Sequence, residues 1–201
     1  MSDEADLIRR RALQSLTLPS LLLPLLGAGI AATPAAALEG EESRTLVAFL
    51  SRSGNTRVIA GQLQRRFDAD LFEIRTAEPY PADYEETVAR AQRERDAAAT
   101  PALAERVAGI GRYETVFLGF PIWGMALPAP VRTFLTTHDV SGKALVPFIT
   151  HGGYGVGTAP DTVAALAPRA RIVTSFVLEA DQERATMNAV SAWLETVEPT
   201  L

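Results

Sequence analysis

The sequence predicts an α/β protein: a three-layer, doubly wound fold with a five-stranded parallel sheet covered by helices on both faces. Three observations lead there. Short runs rich in Val, Ile, Leu and Phe alternate along the chain with longer stretches whose apolar residues recur every three or four positions. Most of the short runs lack polar alternation, as strands buried on both faces should. Glycines and small polar residues gather after the first, third and fourth runs, where open parallel sheets carry their ligand loops.

Residues 1–40 differ in kind from the rest. Met1 to Asp6 is polar, Arg9-Arg10-Arg11 follows, and residues 16–37 carry no charge and end in Ala35-Ala36-Ala37. A basic segment, an apolar segment and a small-residue cleavage site are the parts of an export signal. Arg10-Arg11-Ala12-Leu13 resembles the twin-arginine variety, which carries folded proteins. The expectation is a cleaved signal and an exported, periplasmic or cell-envelope protein, with a cytoplasmic location as the alternative. The alternative is an uncleaved anchor, against which Pro19, Pro24 and Pro34 weigh. Gly27-Ala-Gly-Ile-Ala-Ala32 imitates a dinucleotide fingerprint but lacks its strand and helix context.

Residues 41–201 form the expected domain. Strands are expected at Thr45–Leu50, Leu71–Ile74, Thr115–Phe120, Ala144–Thr150 and Arg171–Leu178. Helices are expected at Thr56–Phe67, Ala82–Arg95, Pro128–Thr137, Thr158–Ala167 and Asp181–Val197, the first with Ile59, Leu63 and Phe67 on one face. Serial β-α units of this kind return the chain to one parallel sheet. Ala97–Gly109, rich in Ala and Arg, is expected to form a further short helix. Pro147 conflicts with a central strand, since it lacks a ladder donor, and requires a bulge or the strand's unpaired start.

Composition narrows the functions. The net charge of −5 gives no broad basic surface for nucleic acid. Absence of cysteine removes disulfides, thiolate metal sites and cysteine nucleophiles, and two histidines cannot make a multi-histidine metal site. His151 is read as a loop residue whose ring bonds backbone carbonyl, and Asp161 as an acid favourable to a helix dipole.

The loops carry the chemistry. Ser51-Arg52-Ser53-Gly54-Asn55-Thr56 combines small hydroxyls, a flexible Gly and a helix start, which together cradle a phosphate. Taken alone it reads equally as a helix cap. Pro121-Ile122-Trp123-Gly124 places an indole after the third strand, and Gly152-Gly153-Tyr154-Gly155 a phenol after the fourth. Either ring alone is explained by packing or loop mobility. Jointly they suit a phosphorylated planar heterocycle.

With these residues in hand, residues 45–197 resemble flavodoxin-like proteins. The segment 51–56 is similar to the family's FMN phosphate loop, whose pattern is hydroxyl, any residue, hydroxyl, Gly, Asn, Thr. The strings FLGFPIWGMALPAPVRTFL and SGKALVPFITHGGYGVG resemble a bacterial flavodoxin subfamily. The resemblance implies sheet order 2-1-3-4-5 and FMN as cofactor. It implies that Ser51, Ser53, Gly54, Asn55 and Thr56, with Arg52 in the same loop, hold the phosphate. Pro121, Ile122, Trp123 and Gly124 would line the ribityl chain and inner ring face. Gly152, Gly153, Tyr154 and Gly155 would form the outer loop. Gly124 lies where related flavodoxins turn a peptide over on reduction. A receiver domain would need acids after the first strand and an Asp after the third, where Ser51 and Pro121 stand; a low-molecular-weight tyrosine phosphatase would need a cysteine.

The implied function is electron transfer to a redox partner protein or a small quinone-like acceptor, with no catalytic residue assigned. Three of the 19 basic and four of the 24 acidic residues fall in 1–40. The domain balance is therefore −4, a weak docking field beside that of acidic flavodoxins. The alternatives are an NAD(P)H-dependent quinone or nitro-group reductase, and a binding domain that has lost its flavin.

Overall fold

The computed structural model describes residues 43–179 and 183–197. The export-like segment lies outside the described residues. Strands β1 (Thr45–Phe49), β2 (Asp70–Glu73), β3 (Thr115–Pro121), β4 (Ala144–His151) and β5 (Arg171–Ile172) form one parallel sheet in the order β2-β1-β3-β4-β5. A further strand, β6 (Phe176–Glu179), also pairs with β4. Helices α1 (Asn55–Phe67), α2 (Tyr84–Asp96), α3 (Ala129–Thr137), α4 (Ala159–Leu166) and α5 (Glu183–Val197) connect or follow the strands.

Strand alternation distributes the core between two faces. Val116, Leu118 and Phe120 of β3 point to the face covered by Val131 and Phe134 of α3 and Val163 of α4. Phe117, with Val47, Phe49, Val146 and Phe148, points to the face covered by Ile59 and Leu63 of α1 and Val190, Trp193 and Leu194 of α5. These side chains are almost fully buried, each stabilising the fold by about 1.5–3 kcal/mol. Gly119 belongs to the second face, where a Cβ would stand 2.0 Å from Phe148 Cζ. The Phe148 ring occupies the space a side chain would need.

Two expectations change. Residues 97–109 are not a helix. Ala98 adopts φ +46° after α2, Pro101 lacks a helical donor, and the segment pairs antiparallel beside residues 75–77. The Ala77 N–H reaches the Ala102 carbonyl and the Ala104 N–H the Arg75 carbonyl, both at 2.8 Å. The helical element that follows the segment, Ile110–Arg112, is a single 3₁₀ turn.

The expected fifth strand is divided into β5 and β6. Ile172 pairs with Leu145 but Phe176 with Phe148, so residues 173–175 run beside the shorter stretch 146–147 and one residue bulges. This settles Pro147. Ala144 donates to Glu114 on the β3 side and Leu145 accepts from Val173 on the other. By alternation the donor that Pro147 lacks would have faced residues 173–175, where the ladder is already interrupted.

His138 ties the 97–109 segment to α3. Its Nε2 accepts the Val107 N–H at 3.0 Å and its Nδ1 lies 3.0 Å from the Phe134 carbonyl, the geometry of a neutral ring protonated at Nδ1. Burial, and after it the nearby Arg106 charge, hold its pKa below the ordinary value against the opposing pull of the Phe134 carbonyl. A depressed histidine binds fewer protons folded than unfolded, so stability is full above about pH 6.5 and falls as pH drops. Urea midpoints between pH 7.5 and 5 should show a loss of at most about 1.4 kcal/mol per pH unit. His138→Gln should flatten that slope; an unchanged slope would remove His138 as its source.

Candidate functional site

The loops leaving β1, β3 and β4 are tied together at one edge of the sheet. Leu50 donates to Gly119 and Ile122 to Thr150, both at 2.8 Å. The buried hydroxyls of Thr56 and Thr150 meet at 3.0 Å. Thr158 donates to the Met125 carbonyl from its N–H at 3.0 Å and from its hydroxyl at 3.4 Å, joining the β3 loop to the start of α4.

Segment 51–56 folds as a helix entrance whose N-cap residue, Gly54, brings no capping side chain. Gly54, at φ +100°, precedes the first turn of α1, which contains no acid. Ser51 Oγ accepts the N–H groups of Gly54 at 3.1 Å and Arg57 at 3.4 Å, which leaves its own proton free to point outward. The N–H groups of Asn55 and Thr56 open the helix with no side-chain acceptor on them. Hydroxyls, free N–H groups and a helix dipole with no carboxylate form a donor set that fits a phosphate dianion.

Two of the six loop residues act differently from the sequence reading. The Thr56 hydroxyl is turned inward onto Thr150, so only its N–H is available at the cradle. Arg52 turns away, donating to the Ala82 carbonyl at 3.3 Å and lying 5.3 Å over the Tyr84 ring. Ser53, Gly54 and Asn55 stay at the entrance.

β3 runs one residue past the expected Phe120, to Pro121, and Ile122 follows it into the loop. Trp123, half-buried, begins a tight turn closed by paired hydrogen bonds with Ala126 at 3.2 and 3.3 Å. Its central residues both have left-handed dihedrals, Gly124 at φ +56° and Met125 at φ +62°. The Gly124 carbonyl accepts from Arg95 Nη1 at 3.3 Å. The fourth loop, Gly152 to Gly155, holds Tyr154 84% exposed. His151 bonds backbone, but as acceptor: its Nδ1 takes the Gly153 N–H at 3.1 Å, not a carbonyl. Asp161 stands in the first turn of α4.

The sequence reading assigned no role to the residues that support Trp123. The Trp123 ring meets Tyr80 edge-on at 4.9 Å. Tyr80 in turn donates to Glu94, and the Arg90 guanidinium stacks 4.2 Å from the Tyr80 ring centre. Arg90 also binds Glu94 at 2.8 Å and the Pro79 carbonyl at 2.9 Å, pinning the Pro-Tyr-Pro loop to α2. Burial first, and then the bond to Glu94, push the Tyr80 hydroxyl far above its ordinary pKa, so it is a fixed donor. Asp83 caps α2, accepting the Glu86 N–H at 2.9 Å. The flanking prolines were the one visible signal; nothing local marked Arg90 or Glu94.

Trp123 walls two hollows. One, of 690 Å³, lies between Ser51, Ile74, Pro81 and Ala104. The other, of 290 Å³, runs between α2 and the Trp123 turn. Gly152 to Gly155 line neither.

A doubly wound sheet with an acid-free helix start and an aromatic loop at its switch point defines a protein built to hold a phosphorylated ring. The flavodoxin profile matches residues 44–197, and the chain belongs to the flavodoxin family. Among solved structures it resembles a flavoprotein of Bacteroides eggerthii DSM 20697, with 30% identity and a TM-score of 0.65 over 77% of this chain and 97% of that one. A flavoprotein of Bacteroides uniformis ATCC 8492 is 26% identical, with a TM-score of 0.67 over 77% and 99%. A Lactobacillus acidophilus NCFM flavoprotein, crystallised in complex with FMN, shares the fold at 20% identity and a TM-score of 0.60 over 72% and 97%. Among curated proteins, none matches the chain.

Proposed function

We propose that this chain is an FMN-binding electron-transfer flavoprotein. The observation that carries the reading is the start of α1, with no acid in its first turn and the Asn55 and Thr56 N–H groups without side-chain acceptors, on a loop that shares one hollow with Trp123. FMN, when bound, supplies the electron transfer itself. The chain's part is to bind and orient. Ser51 Oγ and the N–H groups of Asn55 and Thr56 hold the phosphate, Trp123 offers a ring face steadied by Tyr80, and Tyr154 stands exposed to close the other side. The export-like pattern of residues 1–40 supports a site of action in the cell envelope, a reading tested by the N-terminal residue of the protein isolated from its host.

Titrating FMN and riboflavin against the flavin-free protein tests the assignment. Ser51→Ala should weaken FMN roughly tenfold or more, the worth of a charge-assisted hydrogen bond, while leaving riboflavin affinity unchanged. Trp123→Ala should weaken both. Equal losses for FMN and riboflavin in Ser51→Ala would contradict the phosphate cradle. Bleaching of the bound flavin by NADPH alone, with turnover on added quinone, would move the reading to a reductase.

A further inference from the structure

The 290 Å³ trough between α2 and the Trp123 turn has a lining unlike the rest of this acidic domain. Two arginines, Arg52 and Arg95, lie in its wall and no carboxylate does. Between them stand the Tyr84 and Trp123 rings and Val88, and Tyr84 and Val88 are 61% and 40% exposed. The arginines arrive from different parts of the fold. Arg52 leaves the phosphate loop and turns back over Tyr84, while Arg95 comes from the last turn of α2 and reaches Gly124.

Both keep donors to spare. Arg52 makes one bond, to the Ala82 carbonyl, and Arg95 bonds the Gly124 carbonyl and its neighbour Asp96, each at 3.3 Å. A guanidinium has five N–H donors, so each can still present an edge to an anion. An aromatic and aliphatic floor beside spare cations selects a flat ring bearing negative charge.

We propose that this trough is a second ligand site, for a small planar anion of the aromatic carboxylate or sulfonate class. Its volume sits at the lower limit of ligand pockets, about 300 Å³, which suits one or two rings and excludes a dinucleotide. Trp123 is a common wall of this trough and of the larger hollow, so a ligand here touches the loop proposed to carry the flavin. The proposal rests on the FMN reading only for that neighbourhood. Arg52 is thereby assigned to the trough and not to the phosphate.

The test uses FMN-loaded protein and two probes of like shape, 2-naphthoate and its neutral amide, measured by equilibrium dialysis. Naphthoate should bind more tightly than the amide, with an affinity that falls as salt is raised. Arg95→Gln and Arg52→Gln should each weaken naphthoate about tenfold and leave the amide unchanged. Arg95→Lys should keep most of the affinity, and Arg95→Gln should retain FMN. Failure of naphthoate to bind, or equal losses for both probes, would overturn the proposal. So would displacement of FMN by naphthoate, which would assign the trough to the flavin. If the chain takes up no FMN, the FMN reading fails separately, and dialysis of the flavin-free chain still decides the trough.

Discussion

Gly157→Ala is expected to weaken FMN binding by tenfold or more and to lower thermal stability by several degrees. A Cβ at Gly157 would stand 2.0 Å from the Met125 carbonyl oxygen and 2.6 Å from its carbon, and backbone cannot swing aside as a side-chain tip can. The residue also has φ +53°, which costs alanine about 1–2 kcal/mol. Met125 is itself left-handed at φ +62° and is held there by the two Thr158 donors to its carbonyl. Pushing on that carbonyl therefore disturbs the turn that begins at Trp123. Gly142→Ala, outside the three ligand loops, is the control: its φ is +73°, but its Cβ would meet nothing within 4 Å. It should cost only the conformational term. FMN titrations and melting curves of the two variants check the comparison. Equal effects would show that dihedral strain, not the contact with Met125, decides the outcome.

Gly119→Ala should strongly destabilise the core. The added atom would lie within the Phe148 ring, 2.0 Å from Cζ and 2.2 Å from Cε2. Phe148 is fully buried, among Val47, Phe49 and Phe117 on the α1–α5 face, and close-packed interiors leave a displaced ring little room. Overpacking a rigid core costs about 1–3 kcal/mol, and this geometry belongs at the upper end. At about 2–4 °C per kcal/mol, a melting temperature lower by about 6–12 °C is expected. Phe148→Leu alone should destabilise by leaving a cavity, yet combined with Gly119→Ala it should recover much of the loss. Losses that simply add in the double variant would show that the two residues do not compete for this space.

How much of this was legible in the sequence depended on the range of the forces involved. The unbroken apolar runs announced β1, β3 and β4, and the Ser-Arg-Ser-Gly-Asn-Thr segment announced a helix entrance, because both are written in consecutive residues. Residues 97–109 misled because alanine and arginine favour helix locally, whereas Pro101 and pairing with residues 75–77 prevailed through contacts distant in sequence. The inward turn of Thr56 depends on Thr150, and the outward turn of Arg52 on Ala82 and Tyr84. No spacing rule encodes either. The role of Tyr80 as a support for Trp123 requires Arg90 and Glu94, which α2 brings up from ten or more positions away.

Pro147 has a consequence beyond its own missing donor. The chain passes the outer side of β4 in two reading frames, one ending at Ile172 and the other starting at Phe176, and the proline is the punctuation between them. Were the frame kept, Ser175 would stand opposite Phe148 and Phe176 would be carried to the opposite side of the sheet, away from the Trp193 indole on which it now stacks at 4.9 Å. The short 173–175 segment, though irregular, is thus among the least elastic places in the molecule: one residue more or fewer there would reverse every side chain that follows up to Glu179.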